Sequence, residues 1–134
     1  MTKDLKLSTR YGLTGIGALA LLSVVHWMRG LSNEWIPTVS YLLGVAPNIL
    51  AAIAIPFVFM SIVADHKKDA SPTSLRRWTF ASLGMSLVGL IGWEFIQRTS
   101  DKLIFDVNDL GATLVGATLA CAIFYVITPT RQIG

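Results

Sequence analysis

The chain has 134 residues, of which 53% are hydrophobic and only 14% charged, with a formal net charge of +3 and a mean hydropathy of +0.60. So apolar a balance excludes an ordinary water-soluble enzyme of this length and points to a polytopic membrane protein. No nucleic-acid motif accompanies the positive charge, so it reads as a topology signal and no nucleic-acid partner is expected.

The first apolar segment runs from Tyr11 to Met28 behind a basic start, MTKDLKLSTR. This is also how a secretory signal begins, but His26, Trp27 and Met28 stand where a small-residue cleavage site would be needed, so a first membrane helix is expected. The second segment, Pro37 to Ala64, would make a helix of ~42 Å against a ~30 Å hydrocarbon core, so it must bend, tilt or protrude. Pro47 and Pro56 supply the expected bends by freeing the carbonyls of Leu43 and Ala52. Asn48, beside the first of these, is expected to hydrogen-bond a neighbouring helix or a freed carbonyl, with a ligand contact as the alternative.

After the basic loop DHKKDASPTSLRR come a third segment, Trp78 to Gln97, and a fourth, Leu110 to Ile127. Because the bilayer core offers no water to satisfy the backbone, all four segments are expected to be helices. The predicted fold is therefore all-α, a four-transmembrane-helix bundle forming one integral membrane domain over residues 1–134. Stripes of small residues, Gly12, Gly15 and Gly17, then Gly84, Gly89 and Gly92, then Ala112, Gly116 and Ala120, imply close helix contacts within one chain or between chains.

Orientation follows from Lys and Arg. Lys3, Lys6, Arg10, Lys67, Lys68, Arg76, Arg77 and Arg131 flank one side, leaving Arg29, Arg98 and Lys102 on the other. This bias places both termini in the cytoplasm. Trp27, Trp35 and Trp93 then fall near outer boundaries and Trp78 and Tyr11 near inner ones, as interfacial rings prefer.

The polar stretch GWEFIQRTSDKLIFDVNDLG, residues 92 to 111, therefore faces out. Glu94, Gln97 and Arg98 share one helix face there. Two readings stand side by side: an intrahelical Glu94 to Arg98 ion pair, or an intramembrane acid that holds a cationic, hydroxylated or proton-bearing group. Asp101 and Lys102 read as solvated loop charge. Asp109 is placed to cap the fourth helix. Thr113, Gly116 and Ala120 continue the Asp109 face at spacings that let it pack against the helix bearing Glu94.

The segments WEFIQ, RTSDKLIFDVND and LGATLVGATLA together resemble the VanZ-like membrane proteins. That family's signature is an acid and a glutamine three apart at a helix end, a short polar loop, and an Asp opening a small-residue helix with an Asn and two glycines. Glu94, Gln97, Asp106, Asp109 and Gly116 stand on matching positions, while Thr113 replaces the usual Asn and Ala120 the second Gly. NILAAIAIPFVF, beginning at Asn48, is similar to the family's Asn-apolar-Pro-Phe segment, so the resemblance covers roughly residues 45 to 127.

It implies a small protein of the cell envelope, in a prokaryotic plasma membrane, one member of the family being linked to resistance to the glycopeptide teicoplanin. Candidate ligand-binding residues are then Glu94, Gln97, Asp106, Asp109, Thr113 and Asn48. The ligand expected there is an amphiphile at the outer leaflet, such as a lipid-linked cell-wall component.

The alternative is a non-catalytic accessory subunit of a larger membrane complex, or a homo-oligomer, using the glycine stripes and polar loop for protein contacts. An enzyme reading, with Glu94 and Asp109 as a carboxylate pair, ranks below both. No cofactor or metal is expected, since His26 and His66 fall on opposite membrane sides and Cys121 has no partner. A haem held by a single ligand stays open.

Overall fold

A computed structural model describes residues 5–31, 34–99 and 106–128. Lys3, Asp101, Lys102 and Arg131 lie outside the described residues. Four helices follow one another: α1 (Leu7–Leu31), α2 (Pro37–His66), α3 (Pro72–Arg98) and α4 (Val107–Ile127). Each is long and apolar enough to cross a membrane, and no strand occurs among the described residues. The chain is an all-α four-helix membrane bundle.

The helices extend beyond the apolar runs because capping chemistry, rather than hydropathy, sets their ends. α3 begins six residues before Trp78, inside the basic loop, with Ser71 as N-cap accepting a hydrogen bond from the Ser74 amide and Pro72 in the first turn. α4 begins at Val107 because the Asp106 carboxylate takes the Asn108 amide at 2.8 Å. The cap expected at Asp109 is thus Asp106, and Asp109 lies in the first turn. α2 continues unbroken through both Pro47 and Pro56.

Consecutive helices run antiparallel, so the bundle has two distinct ends. At one, the Tyr11 hydroxyl meets Thr128 Oγ1 at 2.8 Å and Ser61 donates to the Ser8 carbonyl at 2.9 Å. At the other, the Trp35 indole donates to the Met28 carbonyl at 3.3 Å, and the three acids Glu94, Asp106 and Asp109 gather. We call these the tyrosine end and the acidic end.

α2 is the central element. Ala52, Ile53 and Ala54 are all buried, and since successive residues point 100° apart, no single contact face accounts for them. α1 packs on α2 through glycines: a Cβ at Gly15 would sit 2.8 Å from Val58 Cγ2 and 2.9 Å from its amide nitrogen, and one at Gly12 would be 3.0 Å from Ser61 Oγ. α4 approaches α2 more closely still, for a Cβ at Gly116 would lie 2.5 Å from the Ile49 carbonyl oxygen and 2.8 Å from the Ala52 methyl. By contrast, Gly17, Gly84, Gly89 and Gly92 face open space. Gly12 and Gly15 of the α1 stripe and Gly116 of α4 therefore serve contacts within the chain, and Gly17 and the α3 stripe do not.

The apolar core lies toward the tyrosine end, built from Tyr11, Phe57, Met60, Leu75 and Phe124 among others. The Tyr11 ring stacks on Phe124 at 6.1 Å between centroids and tilts against Phe57 at 5.9 Å. At the start of α3 the Lys67 ammonium rests over the Trp78 ring, 4.8 Å from its centroid.

Gly116→Ala should lower the thermal stability of the detergent-solubilised protein by about 1–3 kcal/mol, because backbone rather than a flexible side chain blocks the added methyl. Gly84→Ala, made into open space, should be neutral or stabilising by a few tenths to about 1 kcal/mol. Thermal unfolding followed by circular dichroism reads both.

Candidate functional site

The inward face of α3 is polar along much of its length. Its buried positions are Leu75, Thr79, Ser82, Leu83, Ser86 and Glu94, at spacings that keep them on one side of the helix. Thr79 and Ser82 satisfy themselves by donating to carbonyls one turn earlier, Leu75 and Trp78, at 2.9 and 2.7 Å. Glu94 has no such recourse, since a carboxylate only accepts and the neighbouring helical amides are already used. It is 3% exposed, and its Oε2 has no hydrogen-bond partner.

Glu94 lies one turn before the end of α3, about 6 Å by helix rise, and faces α4. Asp109 and Asp106 are close enough to act on it electrostatically. Arg98, one turn further on, is exposed, and Oε2 accepts no hydrogen bond from it.

Asp109 projects from the first turn of α4, where the helix dipole favours a carboxylate. Asn48 of α2 and Arg29 at the end of α1 are both close enough to act on its carboxylate. Asp106, exposed at the N-cap, holds both the amide and the side-chain nitrogen of Asn108 at 2.8 Å. The Tyr41 hydroxyl reaches toward Asn108 Oδ1 at 3.5 Å, a long contact.

Four of the six candidate residues are thereby brought together: Glu94, Asp106, Asp109 and Asn48. Gln97 is half-buried near the end of α3. Thr113 is buried, and its hydroxyl donates to the Asp109 carbonyl at 2.9 Å, which spends its proton on its own helix. Sequence reasoning missed Arg29, Asn108 and Tyr41. Asn108 carried a readable signal, as an Asn two residues after a helix-capping Asp. Arg29 and Tyr41 come from segments far away in the chain and had none.

Among the described residues no group of three or more His, Cys, Asp or Glu side chains is placed to hold a metal ion. His26 and His66 are both exposed, and Cys121 is half-buried. A groove of about 400 Å³ between α1 and α2, lined by Ser8, Gly12, Ser61, Asp65 and His66, lies at the tyrosine end, away from the acids. Chemically the acidic end presents acceptors in excess of donors, one of them buried and unanswered.

A scan against protein-family models, a search of curated proteins and a search of solved structures each find no match to this chain.

Removing Asn48 takes away a polar neighbour that favours the Asp109 carboxylate, so Asn48→Ala should destabilise by about 0.5–1.5 kcal/mol. Glu94→Gln or Glu94→Leu should instead be neutral or stabilising by about 1–3 kcal/mol, since each relieves a buried carboxylate with an unpartnered oxygen. The same unfolding measurement separates the two directions.

Proposed function

We propose that the chain is a VanZ-like protein of the cell envelope that seats the polar head of an amphiphile, such as a lipid-linked cell-wall component, at its acidic end. The observation that carries this reading is Glu94 Oε2, which is buried in a membrane helix without a hydrogen-bond partner. An ionisable group inside a span is costly, and keeping it unanswered is a cost that a ligand would offset.

The gathering of Glu94, Asp106, Asp109 and Asn48 from three helices supports it further, because the three acids lie in the family-like segments WEFIQ and RTSDKLIFDVND and Asn48 opens NILAAIAIPFVF. The distribution of Lys and Arg favours the outer leaflet for this end, with the tyrosine end and both termini in the cytoplasm of a prokaryotic cell. The residues assigned to the ligand are Glu94 and Asp109 as acceptors, Asn48 as the group that orients Asp109, and Asp106 and Gln97 at the rim. Thr113 is assigned to supporting the backbone beneath them.

An amphiphile-binding assay on the purified protein tests this directly. Glu94→Gln and Asp109→Asn should each weaken binding of a lipid-linked cell-wall precursor about tenfold or more, as expected for loss of a charged hydrogen-bond partner. Binding equal to that of the unsubstituted protein in both variants would sink the proposal.

A second reading, an accessory subunit or homo-oligomer, has its own observation: the α3 glycines Gly84, Gly89 and Gly92 meet nothing within the chain, which suits a helix from another chain. Purification in mild detergent separates the two readings. Co-migration with stoichiometric partner subunits, lost on Gly89→Leu, favours the accessory reading, whereas a stable monomer disfavours it.

A further inference from the structure

We infer that the tyrosine end holds a separate site, a seat for the phosphate head of an anionic phospholipid in the leaflet opposite the acidic end. A cavity of about 440 Å³ opens there at the start of α3, lined by Ser71, Thr73, Ser74, Arg77, Trp78 and Ala81. Thr73, Arg77 and Ala81 recur every four residues, with Ser74 and Trp78 beside them, so the wall is one stripe down the helix.

That stripe changes chemistry with depth. Ser71, Thr73 and Ser74 offer hydroxyls and Arg77 a fork of N–H donors, whereas Trp78 offers an apolar ring with a single N–H, and Ala81 only a methyl. Ala81 lies about 4.5 Å beyond Trp78 by helix rise, inside a helix long and apolar enough to cross a membrane. The cavity thus runs from the polar boundary into the span, and the half-buried Trp78 ring sits where interfacial rings prefer the headgroup level.

The sign of the head follows from the wall and its neighbour. Arg77 is the charged residue of the lining, and the Lys67 ammonium stands over the Trp78 ring, 4.8 Å from its centroid. A guanidinium takes two phosphate oxygens at once, and hydroxyls can donate to the others. The segment Asp65 to Arg77 carries Lys67, Lys68, Arg76 and Arg77 against Asp65 and Asp69, so its field adds to the attraction. Recognition is by side chains, since the Ser74 amide at the helix terminus is already taken by Ser71 Oγ at 3.2 Å. Free phosphate shares this chemistry but gains nothing from the Trp78 and Ala81 end, where a phospholipid keeps its chains.

The test is native mass spectrometry of the full-length protein in detergent, titrated separately with phosphatidylglycerol and phosphatidylcholine, with inorganic phosphate as competitor. Phosphatidylglycerol should bind in preference, resist displacement by equimolar phosphate, and lose about tenfold or more in affinity with Arg77→Gln. Arg76→Gln removes the same charge from the adjacent position, which does not line the cavity, and should cost about threefold or less, as an exposed charge contributes little. Ala81→Trp fills the apolar end without altering charge and should also weaken binding; it carries the comparison if circular dichroism shows that Arg77→Gln does not fold. Equal binding of phosphatidylcholine overturns the anionic head, and displacement by phosphate overturns the lipid as its source. Losses that are equal in the two arginine variants, or absent from both, overturn the cavity as the place of binding. Glu94 and Asp109 stand at the other end of the bundle, so none of these outcomes bears on the reading of the acidic end.

Discussion

Gly116 lets the backbones of α2 and α4 meet, and the acidic end takes its geometry from that contact. A side chain there would strike the carbonyl oxygen and Cα of Ile49, the residue directly after Asn48. Two turns above Gly116 on the same helix stands Asp109, and Asn48 of α2 comes close enough to act on it. In lipid, where burying apolar surface gives helices no drive to associate, such backbone approach is a main source of association energy. The same contact thus contributes to stability and sets the distance between two functional candidates.

The bundle divides its interior between two chemistries. Toward the tyrosine end the interior is rings and branched chains, closed by the contact of Tyr11 with Thr128. Along α3 toward the acidic end, the buried residues become Ser82, Ser86 and finally Glu94, and the last two keep an unpartnered oxygen. A packed apolar core tolerates a defect at its edge if the rest is well satisfied, so the tyrosine end supplies the rigidity that the acidic end requires.

Much of this was legible in the sequence. Four apolar runs gave four helices because a spanning backbone has few alternatives. Glu94 and Asp109 stood out because acids within or beside a span are rare. What hydropathy hid was governed by local hydrogen bonding. The start of α3 was set by Ser71 and Pro72, and that of α4 by Asp106, both in stretches polar enough to resemble loop. Arg29 and Asn48 reach Asp109 from helices distant in sequence, and no local pattern records such a meeting. The glycine stripes were ambiguous for the same reason: only the packed structure separates Gly116, pressed on α2, from Gly89, facing outward.

The way α1 is fastened has a consequence for the charge of the acidic end. Its buried residues, Tyr11, Gly15 and Ala18, all fall in its first half, and beyond them it is tied by the Trp35 indole on the Met28 carbonyl. Arg29 rides on that second half. The cation that acts on Asp109 is therefore carried on the half of α1 that contributes no buried residue, far along the helix from its glycine contacts. The counter-charge near Asp109 thus depends on how closely the lightly buried half of α1 is held to its neighbours.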